Sequence, residues 1–157
     1  MLRGAQTVLR PATDADAPML VAWHDDPEVS RYWDDETYTL ESMLRELHDE
    51  GVEPWIVEAD GEPVGYIQSW VDETAEPGSG LDMFLVPSAR GRGLGPDAAR
   101  TLALHMLERG WAAVHVDPYV WNEPAVRAWR RAGFEPVGER DADDCRTSRW
   151  LLMRFAA

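Results

Sequence analysis

A chain of 157 residues with a net charge of −14, 45% hydrophobic residues and no lysine among its 15 basic side chains reads as one acidic globular domain over residues 1–157. The composition excludes long disorder, and no apolar run approaches the roughly 20 residues of a membrane span. No signal peptide opens the sequence, and Cys145, being alone, cannot form a disulfide within the chain, so a reducing cytoplasm is the expected setting.

Thr7-Val8-Leu9-Arg10 alternates and predicts a first strand. Thr13 can cap a helix over roughly 14–24, with Asp14 and Asp16 near its positive end. Asp26-Pro27 ends it, and 29–36 is then irregular, aromatic and acidic. Thr39 caps a second helix, where Leu40, Met43, Leu44 and Leu47 share a face, and Gly51 stops it. A hairpin follows: 55–59 and 64–70 joined through Asp60-Gly61, with Tyr66, Gln68 and Trp70 on one face. Residues 72–80 form a loop, and a strand begins at Leu81. A helix with Ala98, Ala99, Leu102, Ala103, Met106 and Leu107 on one face ends at Gly110. Strand 113–117, helix 122–132 and strands 134–138 and 148–155 complete the chain. His24, His48 and His105 fall where helix surfaces are expected to be solvated, and His115 where strand packing is expected. No His, Cys and acidic set has metal-ligand spacing, and no Ser/His pair has a nucleophile's context.

Between the strand from Leu81 and the following helix lies Arg90-Gly91-Arg92-Gly93-Leu94-Gly95-Pro96. Three glycines let the backbone approach a ligand and adopt positive φ, and Pro96 suits a first helical position. Loop N–H groups and a helix N-terminus together make an anion site, commonly for phosphate. The spacing fits neither a dinucleotide fingerprint nor a Walker loop.

Charge is uneven along the chain. Residues 1–89 carry 4 arginines against 20 acids, and residues 90–157 carry 11 against 9. That asymmetry suits two ligands of opposite sign and disfavours nucleic acid, whose binding needs phosphate neutralisation.

Arg90-x-x-Gly93-x-Gly95 after an apolar strand resembles the pyrophosphate loop of the GNAT acyltransferases. Asn122-Glu123-Pro124-Ala125-Val126-Arg127-Ala128-Trp129, ending in Gly133-Phe134, resembles a second motif of that family. The resemblance covers almost the whole chain. It implies an α/β fold, with a mixed, mostly antiparallel central sheet and helices on both faces. It implies acetyl-coenzyme A as co-substrate, held by Phe84, Leu85, Val86, the loop from Arg90 to Pro96, Asn122, Ala125 and Trp129, without a metal. Trp129 stands where the family often has a tyrosine proposed to protonate the leaving thiolate, a role indole does not fill.

Within the family, Gly61 to Ser69, Gly80-Leu81-Asp82, Asp117-Pro118 with Asn122, and Tyr32-Trp33 with the acids after them resemble aminoglycoside 6'-N-acetyltransferases. This implies Asp82 as general base. It implies Tyr32, Trp33, Asp34, Asp35, Gln68, Trp70, Asp72, Asp82 and Asp117 as the acceptor site for a cationic amine. Asp82 shares a strand face with Phe84 and Val86, where an unused, unpaired carboxylate would be costly. Taken alone, Asp82 also reads as a loop cap and Asp117 as a turn residue. Acylation of a polyamine, a siderophore precursor or a protein N-terminus stays open, as does an acyl-coenzyme A sensor without turnover. The chain is expected as a monomer or homodimer, with no membrane or nucleic-acid partner.

Overall fold

The computed structural model describes residues 1–157. Five strands, β1 (Leu2–Arg3), β2 (Val8–Pro11), β3 (Val52–Ala59), β4 (Glu62–Val71) and β5 (Ser79–Leu85), form one antiparallel sheet in chain order. The β3–β4 turn is Asp60-Gly61, with φ of 53° and 77°. Two consecutive positive φ values match the right-handed twist of the flanking strands.

α1 (Ala17–Asp25), α2 (Pro27–Ser30) and α3 (Leu40–Leu47) lie between β2 and β3. The predicted helix over 14–24 is split: Asp14–Asp16 is a 3-10 turn, and the Asp16 carboxylate takes the Thr13 N–H at 2.8 Å. Bidentate pairing with Arg10 fixes that carboxylate (2.8 and 2.9 Å). The Thr39 cap forms as expected, its Oγ1 accepting from the Ser42 N–H at 3.1 Å. Where an irregular segment was expected, Pro27 starts the short α2 and Asp26 caps it through the Glu28 N–H.

α4 (Leu94–Glu108) follows the glycine loop. β6 is only His115–Val116, shorter than the predicted 113–117. α5 (Glu123–Ala132), β7 (Phe134–Arg140) and β8 (Trp150–Phe155) close the chain, and the second sheet has the order β6-β8-β7, again antiparallel throughout.

Strand alternation sorts the core into two layers. Ile56, Tyr66 and Phe84 pack against Ala17, Leu20, Val29 and Met43 of α1–α3. Trp55, Val57, Ile67 and Leu81 point the other way, to Ala98, Leu102 and Met106 of α4, and that core continues through Trp129 and Phe134. Helices therefore cover both faces, as expected.

The two sheets meet at β5 and β6 without a hydrogen-bonded ladder. A Cβ at Gly80 would stand 2.9 Å from the His115 carbonyl oxygen and 2.7 Å from the Trp70 indole, so only glycine lets the sheets come this close. Two residues beyond Gly80 and His115 in the chain, Asp82 on β5 and Asp117 just past β6 border the gap.

Candidate active site

The gap opens into a cavity of about 410 Å³. It gathers most of the expected acceptor residues: Tyr32, Trp33, Asp34, Gln68, Trp70, Asp72, Asp82 and Asp117, joined by Asn122, Ala125 and Trp129. Asp35 is not among them. It sits in a turn with φ of 56°, outside the cavity wall.

Cross-strand register builds the centre of the site. Gln68 of β4 is opposite Asp82 of β5. The Tyr66 hydroxyl donates to Gln68 Oε1 at 2.7 Å, and Gln68 Nε2 donates to Asp82 Oδ2 at 3.1 Å. This relay fixes the amide's orientation and holds the carboxyl of Asp82 against the cavity. Burial and then the nearby Asp117 charge push the Asp82 carboxyl up to about 7. Burial also raises Asp117, but there the Arg146 guanidinium opposes it, with Nε at 2.9 Å and Nη2 at 2.8 Å from Oδ2. The two carboxylates titrate as a pair, Asp82 with an amide partner and Asp117 with a guanidinium.

The sheet ladder also determines which backbone donors are free. The Val86 N–H goes to the Val64 carbonyl at 2.9 Å. By antiparallel alternation the Phe84 N–H is likewise turned to β4, and those of Met83 and Leu85 point away from it. Of the residues Phe84, Leu85 and Val86 assigned to the donor site, only Leu85 therefore offers a free N–H. The Phe84 ring is buried among Trp23, His24, Trp33 and Tyr66.

Gly91 and Gly93 both have φ of 78°, and nothing lies within 4 Å of where a Gly91 Cβ would stand. Gly95 is not a positive-φ residue: it lies inside α4 beneath Met83 and Leu85. Pro96 is the third helical residue rather than the first, because left-handed Gly93 caps the helix. None of the N–H groups from Gly91 to Gly95 has an acceptor within the chain. Five adjacent unpaired donors at a helix start fit a pyrophosphate. The Arg90 side chain does not face that nest. It braces the loop by donating to the Glu28 carbonyl at 2.6 Å and the Leu85 carbonyl at 3.2 Å. Arg92 reaches Asp60 at 3.4 Å, and the Leu94 side chain is buried. Asn122 caps α5 through the Ala125 N–H at 3.3 Å.

Several residues of the site escaped the sequence reading. Glu46 adds a carboxylate to the cavity wall beside the expected Glu36, and Tyr38, Tyr66, Tyr119 and Arg146 also line it. The Tyr119 hydroxyl donates to Asp34. Trp121 stacks on Tyr119 and Tyr32 with centroids 5.6 and 6.1 Å apart. His24, expected in solvent, is 3% exposed because the 31–38 turn wraps it in Trp33 and Tyr38. Burial lowers its pKa. Asp72 lines the cavity with its carboxylate already accepting from Thr74 N and Oγ1. Asp97 ties down the N-terminus: its carboxylate accepts from the N–H groups of Ala5, Gln6 and Thr7 and from Thr7 Oγ1.

The profile of an acetyltransferase (GNAT) domain matches residues 12–142. An aminoglycoside N(6')-acetyltransferase type 1 of Klebsiella pneumoniae is 32% identical over 149 aligned positions, covering 83% of this chain and 74% of that protein. A spermidine N(1)-acetyltransferase of Escherichia coli is 25% identical, with the same coverage. The solved structure of AAC(6')-Ib with ribostamycin and coenzyme A superposes with a TM-score of 0.82 at 29% identity, covering 96% of this chain and 93% of that one. The chain belongs to the GNAT acetyltransferase family.

Proposed function

We propose that this protein transfers an acetyl group from acetyl-coenzyme A to a primary amine of a polycationic small molecule, and that the 6'-amine of an aminoglycoside is that acceptor. The observation that carries the acceptor's charge is the cavity wall. It holds six carboxylates, those of Asp34, Glu36, Glu46, Asp72, Asp82 and Asp117, against the single guanidinium of Arg146. A low-dielectric concavity of one sign concentrates ligands of the other. The aromatic side chains of Tyr32, Trp33, Trp70 and Tyr119 offer flat faces to a ring-bearing acceptor. The relatives named for aminoglycoside 6'-acetylation support the same acceptor.

Acetyl-coenzyme A supplies the thioester, and the N–H groups of Gly91 to Gly95 would hold its pyrophosphate. The acidic wall orients the acceptor as an ammonium ion. Ionised Asp82, held by Gln68, accepts one ammonium proton, directly or through a water. The free amine forms the new C–N bond as the C–S bond breaks, and nitrogen's second proton ends on the departing thiol. The N–H groups of Met83 and Leu85, turned away from β4, would stabilise the charge that the carbonyl oxygen gains. Trp129 supplies no proton, and a thiolate leaves without one.

The test is thiol release with acetyl-coenzyme A and a panel of amines: aminoglycosides with a 6'-amine, their 6'-hydroxyl counterparts, and spermidine. The 6'-amines are expected to give the highest kcat/KM, with the product acetylated at that nitrogen by NMR. Equal turnover of the 6'-hydroxyl series would overturn the regiochemistry. Preference for spermidine would overturn the acceptor class.

A further inference from the structure

Arg146 is the one cation in the cavity wall, and the chemistry above does not use it. It stands in the loop between β7 and β8, with a side chain only 9% exposed. The loop itself grips the guanidinium. Nη1 donates to Asp143 Oδ2 at 3.1 Å, and Cζ lies 4.0 Å above the Trp150 ring. Asp143 is positioned by the N–H groups of Cys145 and Arg146, and Trp150 Nε1 donates to the Asp141 carbonyl at 3.1 Å. The remaining edge, Nε and Nη2, rests on Asp117 Oδ2.

Arginine stays charged at any working pH and prefers carboxylate partners of this kind. An arriving ammonium at Asp117 would have to evict it from Asp117 while Asp143 and Trp150 still hold it. Breaking a buried ion pair costs more than one charge-assisted hydrogen bond returns. We propose that Arg146 is a resident cation that fills the ammonium subsite at Asp117, and that it thereby sets acceptor specificity. Acceptors are selected whose further ammonium groups reach Asp34, Glu36, Glu46 or Asp72, and an amine directed at Asp117 adds nothing. This rests on reading the cavity as the acceptor site.

The test compares acceptors that share the reacting amine and differ by one further amine, replaced by hydroxyl. For wild type, at least one such replacement should leave KM almost unchanged. In Arg146→Met, which keeps a stem over Trp150 without the charge, the same extra amine should lower KM roughly tenfold, the usual worth of a charge-assisted hydrogen bond. Arg146→Ala should behave alike, and millimolar guanidinium should return it to the wild-type pattern. Adding Asp117→Asn to either variant should abolish the gain. A purely structural Arg146 would instead lower Tm and kcat for all acceptors by the same factor, and an unchanged KM ratio overturns the proposal. Should neither variant fold, a wild-type crystal structure with acceptor bound decides: Arg146 still on Asp117 supports it, and an acceptor nitrogen on Asp117 overturns it. If wild type acetylates amines but the ratios do not move, only the Arg146 inference falls. If it neither binds nor acetylates any amine, the acceptor reading of the cavity falls and takes this inference with it.

Discussion

Asp82 and Asp117 face each other with unequal company, Gln68 for the first and Arg146 for the second. The base of an amine acetyltransferase must be ionised when the ammonium arrives. With the Asp82 carboxyl near 7, wild-type kcat should climb as pH rises through about 7. Asp82→Asn keeps the shape and removes the acceptor of the proton. Its kcat should fall by roughly 10²–10⁴-fold, the usual worth of general base catalysis, with affinity for acetyl-coenzyme A nearly unchanged by calorimetry. A rise in KM at constant kcat would make Asp82 an anchor instead. The stability consequence has a definite sign. The folded-state pKa lies above the ordinary value of an aspartate, so Asp82 favours the folded state at low pH and loses that contribution as pH rises towards 7. At pH about 8, Asp82→Asn should therefore melt higher than wild type even as it turns over more slowly.

At the scale of the element, β5, the glycine loop and the start of α4 form the proposed donor side. Gly93 is held at φ of 78°, where an L side chain is strained by roughly 1–2 kcal/mol. Gly93→Asp adds that strain and a negative charge beside five unpaired N–H groups, so acetyl-coenzyme A affinity should largely disappear. A folded variant with unchanged calorimetric affinity would remove the loop from the donor site. This element was legible in the sequence because Gly91 and Gly93 answer a local backbone demand, both at φ of 78°. Its helix boundary was not, since left-handed Gly93 starts the helix before Pro96. Asp97 was opaque for a different reason: it clasps Thr7 from 90 positions away, and no local pattern signals that contact. Arg146 and His24 escaped likewise. Their surroundings come from other segments, Asp117 for one and the 31–38 turn for the other. Strand alternation made Gln68 and Trp70 readable as one face and Asp82 as another with Phe84 and Val86, and the family resemblance, not alternation, brought all three to one site.

For the whole molecule, a net charge of −14 would act in opposite directions on the proposed polycationic acceptor and on anionic acetyl-coenzyme A. Exposed charges are screened over about 8 Å at physiological ionic strength. Raising salt should therefore raise KM for a polycationic acceptor more than KM for acetyl-coenzyme A. Equal salt dependence for both would count against an acidic acceptor site. The width of that site traces back to the seam between the two sheets. At Gly80 the His115 carbonyl and the Trp70 indole close in on the place a methyl group would occupy. Any side chain there would act as a wedge against the His115 backbone and the Trp70 ring. The aperture of the proposed acceptor site would thus respond to a position that carries no charge. A substitution at Gly80 is therefore expected to change the size of acceptor accepted while leaving the six carboxylates of the wall in place.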